Sequence, residues 1–151
     1  MKDTDNFLES CLFFNTNALS RHLLKLGETQ FKALDISPAH ASLMLVLFDS
    51  PGISPKQLSA ALNLTPSTIS RFLNALEKKD LLDRKTKGKQ AFIFPSVKGL
   101  FLKPEIAIAY KNMCLEYIKI LGPDFANGLS AHIFHANQTL AGYLSQYEEK
   151  P

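Results

Sequence analysis

The sequence predicts a mainly α-helical fold with one small β-hairpin, and three observations predict it. First, one helix-opening recipe occurs three times, at Ile36-Ser37-Pro38, Ile53-Ser54-Pro55 and Leu64-Thr65-Pro66. Each sets a hydroxyl where free helix N–H groups need capping, and a proline where the first helical residue has no hydrogen bond to lose. Second, apolar residues recur at helical spacing, as in Leu8, Leu12, Leu19 and Leu23 and again in Ile69, Phe72, Leu73 and Leu76. Third, Leu81–Arg84 and Gln90–Phe94 read as two strands around a Thr86-Lys87-Gly88-Lys89 turn.

The elements follow in order. A first helix is expected from about Asn6 to Leu26, with Gly27–Leu34 as a loop. A second runs from Pro38 to about Asp49, where Ser50-Pro51-Gly52 ends it. A third is short, Pro55–Leu62, with Gln57 completing a capping box on Ser54 and Asn63 as a left-handed stop. A fourth runs from Pro66 to about Lys79. After the hairpin, a long fifth helix is expected from about Val97 to Leu121, kinked at Pro104, and a sixth from about Asp124 to Tyr147 beyond the Gly122-Pro123 break.

Only Asn63 to Thr65 separates the third and fourth helices, and the small Ala60 and Ala61 allow a close crossing. That is a helix-turn-helix. The lysine-tipped hairpin after it reads as a wing. The predicted architecture is therefore a winged helix-turn-helix, at about residues 36–95, flanked by N- and C-terminal helices, at about 6–34 and 97–149, in a single domain of residues 1–151.

The chain has 46% apolar and 21% charged residues, an ordinary globular composition. No run of 18 apolar residues is present, so no membrane partner is expected. The opening MKDTDNFLES has no basic segment leading into an apolar run, and two distant cysteines make no disulfide framework. A cytoplasmic location is the expectation. The net charge of +3 divides unevenly: Ser54–Lys103 holds ten basic and three acidic residues, a net of +7, and the remainder carries −4. A cationic middle between acidic ends suits a polyanion.

The fourth helix carries the candidate contacts. Opposite its apolar stripe lie Ser67, Thr68, Ser70, Arg71, Asn74 and Lys78. Small hydroxyls let a helix end approach a duplex, and its N-terminal dipole favours a phosphate. Arg71 can fork onto a guanine edge, or alternatively pair with Glu77 or Asp80; Asn74 suits an adenine edge, and Lys78 a phosphate. Arg84, Lys85, Lys87 and Lys89 extend the basic surface into the hairpin. Lys85, Lys87 and Lys89 alternate along the ribbon, so one face is expected for them, with Ala91 and Ile93 continuing the alternation. Such a ribbon can reach the minor groove or backbone beside a helix in the major groove.

The stretch SPAHASLMLVLFDSPGISPKQLSAALNLTPSTISRFLNALEKKDLLDRK, followed by FIFPSVKG, resembles the MarR family of winged-helix transcriptional regulators. With the flanking helices the resemblance covers roughly Phe7 to Tyr147. It implies a homodimer joined through the end helices, bound to double-stranded DNA at a near-palindromic operator, usually repressing until a small-molecule effector binds. Effector pockets in the family lie between the dimer helices and the winged domain, which by location points to Phe13, His40, Met44, Tyr110 and Met113; core packing is the other reading of these five. Peroxide-sensing relatives place a reactive cysteine where this chain has Phe13, two residues beyond Cys11. The family wing usually carries an Asp-x-Arg element, whereas this turn reads KTKGKQ, with Lys87 or Lys89 as a point charge in place of the arginine fork. A winged-helix protein-interaction module is the alternative reading. No Gly-rich phosphate loop, His-Glu-x-x-His or Gly-x-Ser-x-Gly occurs, so no catalytic residue and no cofactor is expected. His132 and His135 share a helix face, but no third ligand lies near in sequence, and no metal is expected.

Overall fold

The computed structural model describes residues 7–148. Its elements are α1 (Leu12–Phe31), a 3₁₀ turn (Lys32–Leu34), α2 (Pro38–Asp49), α3 (Pro55–Leu62), α4 (Pro66–Glu77), β1 (Leu82–Lys87), β2 (Gln90–Pro95), α5 (Val97–Phe101), α6 (Lys103–Leu121) and α7 (Pro123–Glu148). Packing divides the chain into two compact units, one ending at Asn112 and the other starting at Met113, within α6.

All three Ser/Thr-Pro starts form as the chemistry requires. Ser37, Ser54 and Thr65 each accept a hydrogen bond from the N–H three residues on, and Gln57 closes the capping box back onto Ser54. Asn63 ends α3 at φ 52°, where its short polar side chain tolerates the left-handed region. Loss of one such cap costs about 1 kcal/mol. Thr65→Ala is therefore expected to lower unfolding free energy by about that amount in urea titration, with an unchanged m value.

The expected start of the first helix at Asn6 lies outside the described residues, and the helix departs from expectation at Cys11 and at its far end. It breaks at Cys11, whose backbone is extended at ψ 111°. Asn15 Nδ2 donates to the Glu9 carbonyl at 2.9 Å, so a side chain takes the carbonyl that a continuous helix would use. At the far end α1 runs through Gly27 to Phe31, where a loop was expected. Gly27 and Phe31 are buried, and the Phe31 ring stands edge-on to Tyr110 at 4.9 Å. Tertiary burial thus overrides the low helix propensity of Gly27.

The expected fifth helix is two helices. α5 ends at Phe101, Leu102 N–H closes a tight turn onto Gly99 O at 3.1 Å, and α6 begins at Lys103. Pro104 cannot donate to the carbonyl four residues back, so the helix divides there rather than bending. Pro123–Glu148 forms the last helix as expected, after Gly122 at φ 87°.

The core of the first unit gathers Phe31, Leu43, Met44, Leu47, Leu58, Ile69, Leu73, Leu76, Leu82, Ile93 and Ile106, all under 2% exposed. α2 lies at its centre, with Ala41, Leu43, Met44, Leu47 and Phe48 buried. Leu58 from α3 and Ile69 and Leu73 from α4 join the two arms of the helix-turn-helix through this core. In the second unit α7 keeps Phe125, Phe134, Leu140, Tyr143 and Leu144 exposed.

Candidate nucleic-acid interface

α4 is amphipathic in the strict sense. Ile69, Leu73 and Leu76 are buried, while Ser67, Ser70, Arg71, Asn74 and Lys78 are exposed and Thr68 is half-buried. The turn before it is tight: Leu64 N–H donates to Ser59 O at 3.1 Å, and the Ser59 hydroxyl donates to Leu64 O. Thr65, Ser67 and Thr68 link hydroxyls at the helix start, with Thr65 Oγ1 at 3.1 and 2.9 Å from the other two. Arg71 Nη2 reaches Thr68 Oγ1 at 3.4 Å, one turn back. The first turn thus presents a strip of hydroxyls with a guanidinium laid beside it.

The hairpin is held to the helix-turn-helix by a third extended segment. Ile93 N–H donates to Ile53 O at 3.0 Å, Gly52 N–H donates to Ile93 O at 2.7 Å, and Ile93 is fully buried. Lys87 pairs with Gln90, leaving a turn of Gly88 and Lys89. Gly88 takes φ 61°, as a two-residue hairpin turn needs at its first position. The strands are longer than expected and the turn shorter, which changes the faces. Lys85 pairs with Phe92 and Lys87 with Gln90, so both lysines share a face with Phe92 and Phe94. Ala91 and Ile93 pair with Thr86 and Arg84 and lie on the opposite face. The expected continuation of the lysine alternation into Ala91 and Ile93 is therefore corrected: closing the turn with two residues pairs odd positions with even ones. Lys89 belongs to the turn itself. Lys85, Lys87 and Lys89 are all exposed, and Lys85 Nζ stands 4.9 Å from the centre of the Phe94 ring.

Three basic residues turn inward to the protein. Arg84 Nε lies 3.0 Å from Glu77 Oε2, and its Nη2 donates to Asn74 Oδ1. Glu77 thus pairs with Arg84, and Arg71 stays on the outward face of α4. Lys79 Nζ pairs with Asp35 Oδ2 and donates to Asp35 O at 2.6 Å, tying the chain just after α4 to the turn before α2. This pairing holds the exposed Asp35 carboxyl below its ordinary value. Lys98 Nζ donates to Lys79 O at 2.7 Å. Sequence reasoning did not find the Asp35–Lys79 tie, because its members are 44 residues apart and no local pattern couples them.

Of the five residues suggested for an effector, four lie in the first unit and Met113 in the second. Met44 is fully buried, and Phe13 is 78% exposed on α1. Tyr110 donates to Pro38 O beside Ser42. Met113 is half-buried and belongs to the second unit. His40 lines a cavity of about 620 Å³ together with Phe31, Asp35, Ile36, Pro38 and Lys79. Its ring meets Phe72 edge-on at 4.6 Å. Burial first, and the Lys79 ammonium second, hold the imidazole below its ordinary value of 6.5. A depressed histidine binds its proton more readily in the unfolded chain, so its stabilising contribution is complete above 6.5 and falls as pH drops from there toward the folded value. Melting temperature is expected to fall as pH drops below the ordinary histidine value of 6.5, and His40→Gln to flatten that fall.

His132 Nδ1 lies 2.6 Å from Gly128 O on its own helix, and among the described residues no three His, Cys, Asp or Glu side chains gather as a metal site. No single helix among them is long and apolar enough to cross a membrane.

Comparison with known proteins places this geometry. The MarR family model matches residues 36–88, from the residue before the α2 cap to the tip of the hairpin. The complex of MepR from S. aureus with DNA superimposes with a TM-score of 0.74 at 17% identity, over 86% of this chain and 98% of that one. The PcaV transcriptional regulator from Streptomyces coelicolor, in complex with its natural ligand, gives 0.74 at 20% identity, over 89% and 94%. A riboflavin kinase from Thermococcus kodakarensis is 31% identical over 86 residues, 57% of this chain and 40% of the kinase. The helix-turn-helix and wing of this chain are thus similar to the MarR family model, and the chain shares the fold of these two solved regulators along nearly its whole length.

Proposed function

We propose that the protein is a sequence-specific double-stranded-DNA-binding regulator, a cytoplasmic homodimer whose 151 residues act as one functional domain without enzymatic activity. The observation that carries this reading is the outward face of α4, made of hydroxyl, amide and cationic side chains with its one carboxylate, Glu77, paired to Arg84, set beside a lysine-tipped hairpin. In this reading Ser67, Thr68, Ser70 and Arg71 enter the major groove, Lys78 meets a phosphate, and Lys87 and Lys89 reach the adjacent backbone or minor groove. Exposed Phe13, Phe14 and Leu24 on α1 and Phe125, Phe134 and Leu144 on α7 supply apolar surface for a partner copy. Two-fold symmetry then sets two α4 helices about 34–36 Å apart on a near-palindromic operator. Repression relieved by a small molecule is the regulatory form we infer, with the cavity beside His40 as one place for it. The MepR–DNA and ligand-bound PcaV structures support both halves of the reading by analogy of fold.

Fluorescence anisotropy on a duplex from the upstream region of the protein's own gene, against a scrambled duplex across a salt series, tests it. Preference for the native duplex with a steep salt dependence is expected. Negligible binding to either by a folded dimer favours a protein-interaction module instead. Lys87→Ala and Lys89→Ala are each expected to reduce the slope of log K against log salt by about one unit. An unchanged slope removes the wing from the interface.

A further inference from the structure

The Arg84 guanidinium is a fork with donors and no acceptor, and it closes on two side chains of α4 at once. Asn74 and Glu77 lie three residues apart on one helix face, and Arg84 spans them, Nε to Glu77 Oε2 at 3.0 Å and Nη2 to Asn74 Oδ1. Arg84 itself is fixed from below. Its cross-strand partner is the fully buried Ile93, and Leu82, two residues earlier in β1, is also buried.

This contact orients the Asn74 amide. Arginine can only donate, so the atom facing it must be the carbonyl oxygen, and Nδ2 with its two N–H groups points the other way. An asparagine that reads adenine uses both ends of its amide, accepting from N6 and donating to N7. Oδ1 keeps a second lone pair, but the bond from Arg84 fixes the turn of the amide, so the end directed away from Arg84 is the Nδ2 donor. We infer that Arg84 is a positioning residue that presents the donor end of Asn74, favouring an acceptor edge in the major groove, guanine O6/N7 or thymine O4, over adenine. The inference rests on the DNA-binding reading above and revises the adenine preference that the asparagine by itself suggests. Glu77 has a matching part: paired with Arg84, its carboxylate presents no uncompensated charge beside the polyanion.

The test is selection from a pool of duplexes with randomised sequence, using the full chain. Wild type, Asn74→Ala, Arg84→Met and Arg84→Lys are compared. Arg84→Met is also made with Glu77→Gln, so that no unpaired carboxylate obscures its effect. The position whose preference disappears in Asn74→Ala is expected to be guanine or thymine in wild type. In both Arg84→Met proteins that position is expected to move about tenfold toward adenine, and Arg84→Lys, which keeps a donor, to retain the wild-type base. Adenine at that position in wild type overturns the inference, as does a preference unmoved by loss of Arg84. A selected motif with no position sensitive to Asn74 overturns it alone. Enrichment of no sequence at all overturns the DNA-binding reading, and this inference with it.

Discussion

Gly99→Ala is expected to destabilise the first unit by about 3 kcal/mol, at the upper end of the cost of overpacking a close-packed site. Gly99 is buried at the start of α5, and a Cβ there would press into the Leu81 carbonyl oxygen and stand 2.9 Å from Met44 Cε. Neither neighbour can easily give way. The Leu81 carbonyl accepts from Ser96 N–H at 3.1 Å, and Met44 is fully buried in the central helix. Ser96 strengthens the same joint, its hydroxyl donating to Asp80 O at 2.6 Å and accepting from Gly99 N–H at 2.9 Å. The chain leaving the hairpin is thus clamped onto the chain leaving α4, and the glycine is what lets the two backbones approach. Urea titration with the wild type as reference measures the loss. A cost under about 1 kcal/mol, an ordinary surface-like effect, would show that the joint is loose.

Arg71→Ala is expected to weaken binding to the selected duplex by about 1–3 kcal/mol, with the loss concentrated at one base pair. Arg71 is exposed on the outward face of α4, and its recorded contact is the long one to Thr68 Oγ1 at 3.4 Å, which is readily exchanged for a base edge. Arg84, by contrast, is engaged by Glu77 and Asn74, so the two arginines have different parts in the same surface. Competition anisotropy with duplexes altered one base pair at a time distinguishes the cases. A loss spread evenly over all sequences assigns Arg71 to a phosphate. An unchanged affinity removes it from the interface.

The departures from expectation show what local pattern conveys. Capping and proline placement are short-range chemistry, completed within three residues, and they set the starts of α2, α3 and α4 without reference to the rest of the chain. The apolar stripe of α4 likewise identified Ile69, Phe72, Leu73 and Leu76 as its inner face, with Phe72 half-buried and the other three buried, and hence the outer face by exclusion. The hairpin was legible as a hairpin but not in its register. One residue of difference in turn length exchanges the faces of β2, and the KTKGKQ segment admits more than one closure until Ile93 is pinned beneath it by Ile53. Where α1 ends was also undecided locally, because Gly27 reads as a breaker until Phe31 has a core to enter.

The sequence by itself determined that this is a winged helix-turn-helix within long helices, with a cationic middle and a hydroxyl-rich second helix in the motif, since each follows from contacts within about one helical turn or from simple charge counting. Tertiary structure alone decided which charges serve the surface. Lys79 is spent on Asp35 and Arg84 on Glu77 and Asn74, while Arg71, Lys87 and Lys89 remain on the outside. A cation's role depends on which carboxylate or carbonyl the fold brings within about 4 Å, and partners far apart in sequence meet only after the core has formed.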